Sequence, residues 1–181
     1  MLFNSDLKKY KSYSNKSTLV VLLTQQGLWA IFVYRISNVL YNSKMPNSLK
    51  RLLLLFSVFA QKIIEILTGI SLPYSATIGH SFYIGHFGGV IINSQSVIGD
   101  NCNISQGVTI GVSGRHKFRG VPIIGNNVYI GVNAVVAGKI TIGDNCVIGA
   151  NSLVVNSFED NRTILGVPAK VFNSNTSKDY I

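Results

Sequence analysis

Residues 121–154 read "VPIIGNNVYIGVNAVVAGKITIGDNCVIGANSLV". Ile or Val recurs there every six residues, at Ile124, Ile130, Val136, Ile142, Ile148 and Val154. The same step runs upstream through Ile78 and Ile84, then Ile92, Ile98, Ile104 and Ile110. A half-buried strand repeats every two residues and a helix every 3.6, so a sustained period of six fits neither alone. It fits a parallel β-helix, in which each unit is one short strand and a turn. Three units close a triangular coil, so these units predict about four coils. The position four residues after the aliphatic one is small (Cys102, Val108, Ala134, Cys146, Ser152), as the inside of a narrow prism requires. Gly, Asn and Asp fill the corners, where positive φ is needed.

The register slips at two places. The step from Ile84 to Ile92 is two residues too long, and that from Ile110 to Ile124 is eight too long. Insertions in a solenoid map to loops that carry function. The first falls on "GHFGGVIIN", residues 85–93. The second is "GVSGRHKFRGVP", residues 111–122, which holds Arg115, His116, Lys117 and Arg119. Its tip should project and reach a neighbouring subunit.

Outward from the repeats the chain changes character. Residues 1–71 read as a helical region, 72–172 as the β-helix and 173–181 as a polar tail. "STLVVLLTQQGLWAIFVYRISNVLYNSK" predicts one helix, or two broken near Gly27, with Ser17 as N-cap. "MPNSLKRLLLLFSVFAQKIIEIL" predicts another, capped by Asn47 or Ser48 and ended by Gly69. This last helix is apolar almost all round, so it should be buried in a bundle, an oligomer or a membrane surface. Gln61, Lys62 and Glu65 interrupt it below the roughly 18–20 uninterrupted apolar residues of a membrane span. Residues 1–16 are polar and basic, with no apolar core or cleavage site of a signal peptide.

The 181 residues carry 16 Lys+Arg against 7 Asp+Glu, a formal net charge of +9. That balance suits a polyanionic partner such as a phosphorylated cofactor, anionic lipid or acidic glycan. The charge gathers at a helix start and in one loop, with no nucleic-acid reading motif. The two cysteines, Cys102 and Cys146, fall at the same position of the repeat, which predicts packed thiols in a reducing, cytoplasmic compartment.

Of three histidines, His86 stands inside the first irregularity. Gly85, Gly88 and Gly89 surround it and allow a substrate to approach closely. Imidazole accepts a proton from a hydroxyl near neutral pH. His80, six residues earlier, reads as a surface residue, and His116 as a loop residue.

These strings together resemble the hexapeptide-repeat acyltransferases, which are left-handed parallel β-helices, and within them the serine acetyltransferase branch. The match rests on "ATIGHSFYIGHFGGVIIN", "NISQGVTIG", the quoted 121–154 run and "ILGVPAKV". It runs without a gap from His86 to about Lys170. The resemblance implies acetyl-CoA as donor, no metal, and His86 as general base in direct transfer without an acyl-enzyme. It implies a homotrimer, or a dimer of trimers, with active sites between adjacent solenoids. It places the pantetheine arm along Gly111, Val112, Ser113, Gly131, Val132 and Ala150, with Lys170 at the nucleotide phosphates. Backbone N–H groups near Gly111 would hold the oxyanion.

The chain departs from that branch where the acceptor is read. The branch has a carboxylate directly before the histidine and another fifteen residues earlier; here these are Gly85 and Ser71. Its Arg-His pair before the loop-ending proline is Gly120 and Val121 here. An amino-acid carboxylate without that Arg loses a charge-assisted pair worth about 1.5–3 kcal/mol. The expectation is therefore a carbohydrate acceptor, in the manner of capsule and exopolysaccharide O-acetyltransferases. Arg115, His116 and Arg119 would meet the acceptor, and the basic N-terminus and apolar helices would suit peripheral association with the inner membrane. L-Serine is the alternative acceptor. A zinc hydratase on the same solenoid needs three converging histidines, but His80 and His86 head adjacent faces. A non-catalytic scaffold leaves the two loops and "GVPAK" without a purpose.

Overall fold

The computed structural model describes residues 2–181. Four helices come first: α1 (Leu2–Ser12), α2 (Thr18–Thr24), α3 (Gln26–Asn42) and α4 (Asn47–Thr68). The strands of the solenoid follow: β1 (Ile70–Ser71), β2 (Thr77–Ile78), β3 (Tyr83–Ile84), β4 (Val90–Ile92), β5 (Val97–Ile98), β6 (Asn103–Ile104) and β7 (Thr109–Gly111). After the long loop come β8 (Ile123–Ile124), β9 (Tyr129–Ile130), β10 (Val135–Ala137), β11 (Thr141–Ile142), β12 (Val147–Ile148) and β13 (Leu153–Val154). A hairpin of β14 (Thr163–Gly166) and β15 (Ala169–Asn173) closes the stack.

The strands stack in parallel into three sheets, one per face of a prism. Face 1 is β1-β4-β7-β10-β13, face 2 is β2-β5-β8-β11, and face 3 is β3-β6-β9-β12-β14 with β15 antiparallel at its edge. Every aliphatic residue of the six-step is buried, and Ile70 and Ile164 extend the column at either end. The solenoid thus begins at Ile70, before the composition shift is visible.

The corner between faces 2 and 3 shows why asparagine recurs. Asn101, Asn127, Asn145 and Asn161 have φ between 53° and 58°. Their side chains form a ladder: Asn101 Nδ2 donates to Asn127 Oδ1 (2.8 Å), Asn127 to Asn145 (3.0 Å) and Asn145 to Asn161 (3.1 Å). Asparagine tolerates the left-handed region and satisfies its amide along the stack. Lys9 of α1 donates to the top of this ladder, at Asn101. Burial lowers the Lys9 pKa to about 8.

The helices cap the open end of the first coil. Tyr34 Oη donates to Ala76 O (2.8 Å) and accepts from Ile78 N (3.1 Å). Tyr10 Oη does the same for Ile84, donating to its O (2.8 Å) and accepting from its N (3.1 Å). Arg35 donates to the carbonyls of Ile78 and Gly79 and is ion-paired with Asp6, which accepts from Phe82 N. Gly27 lets α3 come in: a Cβ there would lie 2.5 Å from Ile84 O.

The helix boundaries refine the expectation. Ser17 caps α2, accepting from Val20 N, and the break falls at Gln25. The cap position of α4 is Pro46, with no side-chain bond, so neither Asn47 nor Ser48 serves; both lie inside the helix. Gly69 ends α4 at φ 67°. Within one chain α4 is mostly uncovered, with Leu55, Phe56, Phe59, Ile66 and Leu67 exposed. Among the described residues no single helix is long and apolar enough to cross a membrane; α2 and α3 together meet length and composition but are bent by 87°.

Removing Asp6 strands a buried guanidinium and a strand N–H together. Asp6→Ala is expected to cost about 3–5 kcal/mol, read as a lowered denaturant midpoint. Burial raises the Tyr34 pKa to about 12 from 10, so its contribution is complete below pH 10 and is lost as pH climbs toward 12. Tyr34→Phe should be less stable than the parent at pH 8 and lose less than the parent between pH 10 and 12 in the same titration.

Candidate active site

His86 lies on the corner between faces 3 and 1, in the first coil. β3 delivers the chain to Gly85, whose N–H bonds Ile104 O (3.1 Å), and the two-residue insertion then bulges before β4. The bulge is fastened below by Gly107 N–H to Gly88 O (3.0 Å) and toward α4 by Gly88 N–H to Thr68 O (2.7 Å). Gly88 and Gly89 hold φ of 99° and 69°, values that glycine adopts at little cost. The imidazole is exposed, and among the described residues it makes no hydrogen bond.

Gly131 and Val132 occupy the same corner two coils further on, and Ala150 three coils on. At about 4.8 Å per coil, His86 and Ala150 are ~14 Å apart along one edge. The edge is walled by small residues: a Cβ at Gly131 would come within 2.7 Å of Ala150 N. Beside Gly131, Val132 and Ala150 opens a groove of about 770 Å³, whose far wall is Phe172 and Tyr180 of the last strand and tail. Tyr180 stacks on Tyr129 at 4.6 Å, so the tail is packed against the solenoid. Lys170 is exposed on β15, in register with Leu165 of the groove wall.

The rest of the expected set lies elsewhere. Gly111, Val112 and Ser113 leave face 1 at its opposite edge, toward face 2. Ser113 and Gly120 exchange two backbone bonds (3.1 and 3.0 Å), which pinch the loop into a projecting tip. Arg115, His116, Lys117, Phe118 and Arg119 are all exposed on it, with His116–Phe118 forming one short 3-10 turn. A second groove of about 390 Å³ runs beneath, between Ser113, Phe118 and Lys139. In one chain, then, His86 is gathered with Gly131, Val132 and Ala150, whereas Gly111, Val112, Ser113, Arg115, His116 and Arg119 are a full face away. Six residues per face force this separation.

His80 is exposed on another corner, its Nε2 3.0 Å from Asp100 Oδ2. At the junction of α4 and β1, Ser71, noted in the sequence only as a missing carboxylate, donates its hydroxyl to Glu65 Oε1, and Glu65, not singled out from the sequence, is also paired with Lys62. The sequence signal for Glu65 is that it is the sole acid between Asp6 and Asp100.

Comparison with known proteins bears on the acceptor. Residues 122–156 match the family described as "Bacterial transferase hexapeptide (six repeats)". A serine acetyltransferase of Bacillus pumilus is 36% identical over 163 residues, 90% of this chain and 71% of that protein. The crystal structure of Neisseria gonorrhoeae serine acetyltransferase superposes with TM-score 0.83 at 31% identity, over 96% of this chain and 64% of that one. A serine acetyltransferase of Brucella abortus in complex with coenzyme A gives TM-score 0.84 at 25% identity, over 96% and 67%. These relatives overturn the expectation of a carbohydrate acceptor and of a capsule or exopolysaccharide enzyme. The inference from Gly85, Gly120 and Val121 failed because missing side chains say what is not used and leave open what replaces it.

Because Ser113 and Gly120 already close the loop on themselves, replacing residues 114–119 with two glycines should shift stability by less than about 1 kcal/mol, measured by thermal denaturation. On sequence, fold and coil register alike, the chain belongs to the serine acetyltransferase family of hexapeptide-repeat transferases.

Proposed function

We propose that this chain is a serine O-acetyltransferase that moves acetyl from acetyl-CoA to the hydroxyl of L-serine. The observation that carries the reading is the single edge that joins His86 to the small-residue track Gly131–Val132–Ala150 in a chain of this family. His86 takes the serine hydroxyl proton as the oxygen attacks the thioester carbonyl. The C–S bond breaks, and the CoA thiolate leaves with the proton that the imidazole returns. The pantetheine arm follows the track, and Lys170 meets the phosphates. The family membership and the CoA complex of a relative support this placement.

The loop residues Gly111, Val112 and Ser113 complete the site from an adjacent copy. A homotrimer sets one chain's edge between faces 3 and 1 against its neighbour's projecting loop, which brings Arg115, His116 and Arg119 toward the acceptor carboxylate. N–H groups near Gly111 then face the developing oxyanion. Cys102 and Cys146 are buried free thiols, consistent with a reducing, cytoplasmic setting.

His86→Ala should lower kcat for serine-dependent CoA release by about 10²–10⁴-fold, with unchanged thermal stability because the ring is exposed. Equal release by parent and variant, or release indifferent to serine, defeats the reading. Ala150→Trp, at an exposed track position, should raise the KM for acetyl-CoA at least tenfold with a smaller effect on kcat in the same assay, since it blocks a binding surface common to ground and transition states.

A further inference from the structure

We propose that the outward face of α4 is a docking surface for an anionic lipid bilayer, on which the chain lies without crossing it. Helix α4 has 22 residues and is about 33 Å long. Its inward side is set against the rest of the fold, with Ser57 and Thr68 buried and Ile64 packed on the core. The opposite side carries Leu52, Phe56, Phe59, Ile63 and Ile66, at alternating steps of four and three residues. All five are exposed, Phe59 at 68% and Ile66 at 84%. Leu55 and Leu67 widen the stripe, so an unbroken apolar face takes about a third of the helix circumference. Leu19 and Leu23 of α2 are exposed to a similar degree. Single exposed apolar residues are ordinary on a protein surface, whereas one continuous face of them marks an interaction site.

Charge decides the occupant. Residues 1–69 hold nine Lys and Arg against two acids, Asp6 and Glu65. Both acids are already paired, Asp6 with Arg35 and Glu65 with Lys62. Arg51 and Lys62, about three turns apart, stand exposed along one margin of the apolar face, and Lys44 is exposed in the turn that leads into α4. A second copy docked face to face would bring two strongly positive caps together with no free acid to answer them. An anionic bilayer supplies both complements at once: acyl chains for the leucines and phenylalanines, and headgroups for the cations beside them.

The helix lies on the bilayer rather than through it. Among the described residues no single helix is long and apolar enough to cross a membrane. Along its inner side α4 is packed on α3, and its end is tied to the solenoid by Gly88 N–H to Thr68 O. Only the outer face is therefore free to enter an apolar phase. Phe56 and Phe59 stand midway along it and enter deepest. Arg51 reaches the headgroups from the margin, its aliphatic stem beside the leucines. The surface is independent of the acetyl-transfer reading, because none of these residues lines the His86 edge or the grooves described above.

The test is co-sedimentation of the full chain with vesicles of phosphatidylcholine alone, or of phosphatidylcholine mixed with phosphatidylglycerol, at low and high salt. The parent is expected to bind the phosphatidylglycerol vesicles about tenfold more tightly than the neutral ones, and to lose most of that preference at high salt. Phe56→Gln/Phe59→Gln should weaken binding about tenfold with thermal denaturation unchanged, because both rings are exposed. Lys44→Gln/Arg51→Gln should weaken binding to phosphatidylglycerol vesicles about fivefold for each cation removed and leave binding to neutral vesicles as it was. A parent that stays in the supernatant with phosphatidylglycerol vesicles at low salt, or binding indifferent to the two phenylalanine changes, overturns the proposal. So does a lipid-free oligomer that Phe56→Gln/Phe59→Gln disperses and vesicles do not, since a second copy then covers the face. Serine-dependent CoA release is measured without vesicles, so its absence defeats the functional reading alone.

Discussion

A parallel solenoid has an open end. Each strand of the first coil exposes N–H and C=O groups that the next coil would otherwise take, and buried unpaired groups of this kind cost about 1–3 kcal/mol each. Here four side chains stand in for the missing coil. Tyr34 closes β2, Tyr10 closes β3, and the Arg35–Asp6 pair closes the corner between them. The helical segment is thus a lid on a β-structure as well as a helical unit in its own right. It also sets the height of His86, because the strand that delivers the histidine is pinned at Ile84 by a tyrosine hydroxyl.

The solenoid was legible because its period is long and its core is one-dimensional. A six-residue step with an aliphatic head names the strand, the face and the coil of every residue from Ile78 to Val154. The two breaks in that step named the bulge at His86 and the loop at 111–122 for the same reason: stacked coils have no room for extra residues, so any extra residue must leave the stack. The helices were less legible. α1 is short, polar and basic, and nothing in its pattern announces that Asp6, Lys9 and Tyr10 turn inward. They do so because the strands beneath them need partners, and that demand is tertiary.

The acceptor was read wrongly for a related reason. Comparing residue types at aligned positions treats each position as independent. Gly85, Gly120 and Val121 lack the expected groups, and from one sequence the deficit pointed away from an amino acid. A folded chain can supply a charge from a different element. Ser71 shows this: as a residue type it is a lost carboxylate, yet in three dimensions it holds the hand of Glu65, which sits six residues earlier on another secondary structure.

The corner between faces 3 and 1 differs from the faces it joins in what it presents to solvent. A face of the prism is too regular to hold a substrate, since its outward side chains alternate with inward ones at fixed spacing. A corner is built from glycine and small residues that turn the chain, so backbone comes to the surface and a thin, flexible ligand can lie along it. The bulge that carries the exposed His86 at the top of this track is anchored through its glycines by neighbours at the start of the solenoid. Thr68 and Gly69 at the end of α4 are those neighbours: Thr68 O accepts from Gly88 N–H, and Gly69 packs on Gly88 and Gly89. The position of the His86 bulge is therefore set at the junction between the two structural regimes of the chain, the place where a six-residue period first takes over from a helical one.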